Sequence, residues 1–194
     1  MKKNTAFLII LSTVLIASAQ TKHYPGKLEI RGYKIGDIVE TSLYKKQGDL
    51  YFPNHLDGWT MNNVDKLPEK YKGLPVAIWK LKSDSSIVFT LLNNTIMNIT
   101  VSYLKEAEKE KLSKMATERF EIDGKEKSYK ETHPFQSWIT YWNLKTWETN
   151  DVIFQLGTSN MRKANDPIPK NVLWNLVYSN FILEKKIINE YKEK

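Results

Sequence analysis

Three histidines, His23, His55 and His133, are the side chains best suited to move a proton or hold a metal near neutral pH. None is spaced with a second histidine or a carboxylate in a zinc-binding pattern such as His-Glu-x-x-His. The chain has no cysteine, which removes thiolate chemistry, disulfides and cysteine metal sites. It also lacks an Asp-x-Asp-x-Asp-Gly calcium loop, a glycine-rich phosphate loop and a Gly-x-Ser-x-Gly elbow. Carboxylates gather at Glu118, Glu121 and Asp123, and again at Glu148 and Asp151. Glycoside hydrolysis needs two such groups facing across a cleft, a relation that linear spacing does not display. The sequence therefore points to no catalytic residue, no metal and no cofactor.

The distinctive chemistry is aromatic. Phe135, Trp138, Tyr141, Trp142 and Trp147 crowd one short stretch, and Trp174 and Tyr178 follow on a later one. On a strand, Trp138 and Trp142 share a face while Ile139 and Tyr141 take the other. Two readings stand side by side. Large aromatics can fill a core that has no disulfides to support it. Alternatively, Trp138, Tyr141, Trp142 and Trp147 form a binding platform, since Trp and Tyr bury much area at low entropic cost. A protein partner is the first expectation for such a platform. A carbohydrate stacked on Trp138, Trp142 and Trp147 is the second, and a hydrolase whose carboxylates converge only in three dimensions is the third.

Charge argues against nucleic acid. The net charge of +7 is spread over 29 basic and 22 acidic residues, and the lysine-rich stretches Lys105–Lys114 and Glu184–Lys194 are interleaved with glutamate. A nucleic-acid surface concentrates Lys and Arg with little acid nearby.

The first residues read as an address. Lys2 and Lys3 precede an apolar run from Ala6 to Ile16, and Ala17-Ser18-Ala19 supplies the small-x-small pattern of a cleavage site. The run is shorter than the ~20 apolar residues of a membrane span. The expectation is a cleavable signal over residues 1–19 and a mature region over 20–194, periplasmic or secreted, bacterial, and free of a membrane anchor.

The elements that must position these residues follow from periodicity and breakers. Leu28 and Ile30 begin an extended segment that ends near Ile35. Asp37 with Glu40 three residues on resembles a capping box, and Gly48 a stop, which predicts a helix between them. Pro53, Asn54, Asp57-Gly58 and Pro68 predict loops with short strands. Val76–Leu81, Ile87–Leu92 and Thr95–Tyr103, separated by Ser83-Asp84 and Asn93-Asn94, predict a three-strand meander. Alternation in the third strand assigns Met97, Ile99, Val101 and Tyr103 to a buried face and Ile96, Asn98, Thr100 and Ser102 to a wet one. A helix is expected from Lys105 to Phe120, with strands over Trp138–Leu144, Val152–Leu156 and Val172–Tyr178. A terminal helix is expected from Phe181. The fold class is α+β: antiparallel sheets with helices packed on one face, divisible into two similar helix-plus-meander halves, 28–104 and 105–194.

The segment Ile30-Arg31-Gly32-Tyr33-Lys34-Ile35-Gly36-Asp37 resembles the strand-to-helix entry of small exported bacterial domains of the β-lactamase-inhibitor-like type, a build shared with outer-membrane assembly lipoproteins. The resemblance implies helices against an antiparallel sheet and protein binding through the sheet face. The chain departs from the lipoprotein branch in lacking a lipid-attachment cysteine, and no functional residue is carried over.

Overall fold

The branched and aromatic runs pair into one eight-stranded antiparallel sheet with two helices, a mixed α+β architecture that is mostly sheet. The structure, a computed structural model, describes residues 28–48, 71–132, 137–163, 165–167, 169 and 172–194. The expected leader, the residues up to 27, the three histidines and Phe135 lie outside the described residues.

The strands are β1 (Tyr44–Gly48), β2 (Val76–Leu81), β3 (Ile87–Leu92), β4 (Thr95–Leu104), β5 (Lys125–Thr132), β6 (Trp138–Glu148), β7 (Val152–Lys163) and β8 (Trp174–Asn180). Helix α1 (Glu106–Phe120) links β4 to β5, and α2 (Phe181–Lys192) follows β8. The spatial order is β1-β2-β3-β4-β8-β7-β6-β5. The predicted meander is present as β2, β3 and β4, turning through Asn93 and Asn94 at φ 47° and 63°, the positive values a tight hairpin requires. Because β4 pairs with β8, the two runs of strands make one sheet rather than separate sheets.

Three expectations are corrected. The segment 37–48 is not a helix. Ile38 bridges to Thr95, and the N–H groups of Gly36 and Val39 donate to the carbonyls of Ile96 and Asn94 at 2.7 and 2.9 Å. Those bonds hold the chain extended along the β3–β4 hairpin. Asp37 caps only a local turn, accepting from the Lys34 N–H at 2.9 Å. A single 3-10 turn at Thr41–Leu43 then leads into β1, whose Tyr44 packs on Phe89 with ring centroids 5.7 Å apart. Second, β5 was not expected as a strand. Its sequence Lys-Glu-Lys-Ser-Tyr-Lys-Glu-Thr offers one aromatic, but as an edge strand it needs only its inner neighbour, and it pairs with β6 through eight consecutive residues. Third, the face of β4 expected to be wet is not. Thr100 is 2% exposed and Val101 is 0%.

The main core joins Phe89, Ile99, Phe154, Leu156 and Tyr178 of the sheet with Leu112 and Ala116 of α1 and Leu183, Ile187 and Ile188 of α2. The turn Ile30-Arg31-Gly32-Tyr33 closes on itself by reciprocal hydrogen bonds of 2.8 and 3.0 Å, with Arg31 and Gly32 at φ 50° and 85°. Arg31 projects from it to α1 and to the β2–β3 turn, donating to both oxygens of Glu108 (2.8 and 2.9 Å), to Asp84 (3.1 Å) and to Ser86 (2.6 Å).

Candidate binding site

The sheet is uneven at one end, and that unevenness builds the site. Strand β7 pairs with β8 only from Val152 to Gly157, while Thr158 to Lys163 pair with β6 alone. Strands β5, β6 and β7 thus project past β8 as a three-stranded extension. Opposite it, β4 carries a bulge. Its register with β8 shifts between Val101 and Leu104, so Ser102 and Tyr103 drop out of the ladder.

Tyr103 sits in the bulge at φ 63° and is 66% exposed. A bulky L-residue in the left-handed region costs about 1–3 kcal/mol, and such strain clusters where a side chain is aimed for use. Bulges commonly re-aim side chains in this way. Tyr103, Ser159, Pro169, Val172, Leu173 and Asn175 line a groove of about 400 Å³. Three of these, Tyr103, Val172 and Leu173, are among the exposed large apolar residues of the molecule.

A second groove, of about 460 Å³, lies over the extension and shares Asn160 and Val172 with the first. Two rows on one face of three strands build its floor, and Tyr129 and Trp142, from the opposite face, also line it. Lys130 pairs with Tyr141 and Tyr141 with Asn160, giving one row across β5, β6 and β7. Ser128, Asn143 and Thr158 form the next row, in which the Ser128 hydroxyl donates to Asn143 Oδ1 at 2.8 Å. Arg162 lies two residues beyond Asn160, its guanidinium 4.2 Å from the Tyr141 ring centre.

The residues singled out from sequence are split by the pleat of β6. Trp142 lies on the face opposite Tyr141, stacked on Tyr129 at 6.0 Å and 14°, next to a small cluster of Leu144 and Val177. Its indole Nε1 is buried without a hydrogen-bond partner among the described residues. Trp138 shares that face and is 36% exposed. Trp147 is on the Tyr141 face but toward the other end of β6, inside the main core and away from the groove. It is 1% exposed, donates from Nε1 to Thr117 Oγ1 at 3.0 Å and packs on Phe154 at 5.6 Å. Trp174 is tied to α1, donating to Glu106 Oε2 at 2.7 Å beneath Lys109 Nζ. The Glu106 carboxyl is held below the usual carboxylate range, first by the Lys109 hydrogen bond, which burial opposes, and then by smaller contributions from the Trp174 hydrogen bond and the Lys109 charge. Glu118, Glu121 and Asp123 at the end of α1, and Glu148 and Asp151 at the β6–β7 turn, are exposed. Among the described residues no three metal-binding groups gather, and no described helix is long and apolar enough to cross a membrane.

Sequence reasoning missed Tyr103, assigning it to the buried face by alternation. A bulge adds one residue to the count and reverses the parity after it. It also missed Arg162, which sits among polar residues and becomes distinctive only through its place over Tyr141. No family model, no curated protein and no solved structure matches this chain.

Proposed function

We propose that the chain is an exported, soluble, non-enzymatic protein of the bacterial periplasm or exterior that binds another protein. The observation that carries this reading is Tyr103, a large aromatic held out to solvent by a strained bulge beside exposed Val172 and Leu173. Exposed apolar side chains gathered in one place, with an aromatic anchor at the centre, are how protein interfaces begin. The basic head, apolar run and small-x-small motif of residues 1–19 support export.

The same reading includes the finer architecture expected from sequence. Residues 28–104 and 105–194 would be two similar units of four strands each, with α1 and α2, both in the second, packed on one face. The strand order, which runs outward symmetrically from the β4–β8 pair, supports this. So does the membership of α1 and α2 in one core cluster while Leu144 and Val177 form another. On this view the β-lactamase-inhibitor-like resemblance reflects a shared use of sheet surfaces for partner binding.

A photoreactive amino acid placed at position 103 or 173 in the full chain, expressed in an exporting host, tests the proposal. A discrete heteromeric adduct is expected at both positions and none at Ile182, an equally exposed apolar residue on α2. Identical patterns at all three positions, or no adduct at 103 and 173, refute it.

A further inference from the structure

We infer that the groove over β5, β6 and β7 binds a carboxylate-bearing sugar through Arg162 and Lys130. This goes beyond protein docking at Tyr103 and stands on different residues. The argument begins with charge. The groove is lined by Arg162 and Lys130, and no Asp or Glu lines it among the described residues. No ion pair to either cation occurs among those residues. The nearest acid in sequence, Asp166, turns its carboxylate to the Lys163 N–H at 3.1 Å and offers Arg162 only its backbone carbonyl, which accepts from Nη1. Two uncompensated cations over one concave wall favour an anion, and the low-dielectric walls strengthen that preference.

Geometry then narrows the class. Arg162 is fixed between the Tyr141 ring and the Asp166 carbonyl. A guanidinium held in place presents its remaining N–H groups as a fork matched to a carboxylate. The rest of the lining sets the hydroxyls and amides of Asn143, Thr158 and Asn160 within a mainly apolar wall to which Tyr129, Tyr141 and Trp142 contribute. Such a wall offers both donors and acceptors, the set that ring hydroxyls require. A volume of about 460 Å³ falls within the range of small-molecule sites and exceeds what a lone inorganic anion fills. Charge favours an anion over a neutral sugar, and donors and acceptors set among aromatic side chains match a ligand with both ring hydroxyls and an apolar ring face. A hexuronic-acid unit satisfies both conditions.

Calorimetric titration of the full chain with galacturonate, glucuronate and mannuronate disaccharides tests the inference, with neutral galactobiose as the comparison. Saturable binding of at least one uronate is expected, at least tenfold tighter than the neutral disaccharide. Arg162→Gln and Lys130→Gln should each weaken it tenfold or more while leaving the thermal melt unchanged. Lys130 lies on the exposed edge strand, so its variant stays informative if Arg162→Gln loses structure. Tyr103→Ser should bind the uronate as the parent does, which separates this site from the protein-docking reading. Failure of all three uronates to saturate, equal affinity for the neutral disaccharide, or unchanged affinity in a folded Lys130→Gln protein overturns it.

Discussion

Thr100 and Val101 show how side-chain burial departs from strand alternation. Both are buried on opposite faces of β4: Val101 pairs with Leu176 and Ile87, and Thr100 with Val177 and Val88. A central strand of a sheet covered on both sides has no wet face, so its polar residues must find partners inside. Thr100 Oγ1 donates to Asn98 Oδ1 at 3.2 Å, and Asn98 in turn donates to Ser179 on β8. Val101→Asp places an uncompensated charge in the core and should cost several kcal/mol, enough to unfold a marginal domain. Thr100→Asp should be comparably damaging, whereas Thr100→Val, which keeps the shape and loses one hydrogen bond, should cost about 1 kcal/mol. Urea denaturation of the three variants checks this. A silent Thr100→Asp would show that this face of β4 is open to water.

At the scale of elements, the turn between α1 and β5 explains why Trp147 is structural. Gly124 has no side chain because none fits: a Cβ there would lie 2.6 Å from Trp147 Cε2 and 2.9 Å from Lys145 Cε. The indole bridges the sheet to α1 through Thr117, and the turn must pass close over it. Gly124→Ala should therefore cost about 1–3 kcal/mol by overpacking, read as a lowered melting temperature, and a Trp147→Phe background should relieve much of that loss. An additive double mutant would refute the direct contact. The legible elements were those whose own residues fix them. β2, β3 and β4 have dense branched residues and Asn-Asn turn chemistry, and α1 has its stripe of Leu112, Met115, Ala116 and Phe120. Elements fixed by neighbours were not legible. β5 exists because β6 offers it an edge, and 37–48 is extended because Asn94 and Ile96 take its hydrogen bonds. The candidate site was legible only in part for the same reason. Tyr141 was visible as one of an aromatic group, but Tyr103 and Arg162 acquire meaning from a bulge and from a cross-strand stack.

The whole molecule is tied together at the β4–β8 pair, with Tyr178 at its centre. Tyr178 pairs with Ile99 on β4 and Phe154 on β7, is fully buried, and its hydroxyl accepts from the Leu28 N–H at 3.5 Å. One side chain therefore links the first strands, the last strands and the segment that enters the fold. Burial pushes its phenol above the ordinary tyrosine range, partly offset by the Leu28 N–H, the Asn180 side chain and Arg119. The consequence for stability has a definite sign. A folded-state pKa raised above the unfolded value of about 10 gives a contribution that is fully present below that value. It is lost as pH rises toward and through the folded pKa, because the unfolded chain releases a proton that the folded one keeps. Stability should thus fall from about pH 10 upward. Since Tyr178 joins both runs of strands to one core, the loss should appear as a single transition in far-UV circular dichroism and tryptophan emission together. The delayed phenolate absorbance of Tyr178 should rise in the same step, and Tyr178→Phe should flatten the pH dependence. If the phenolate signal completes before the circular dichroism changes, Tyr178 is accessible in the folded state and the central pair is not what holds the sheet together.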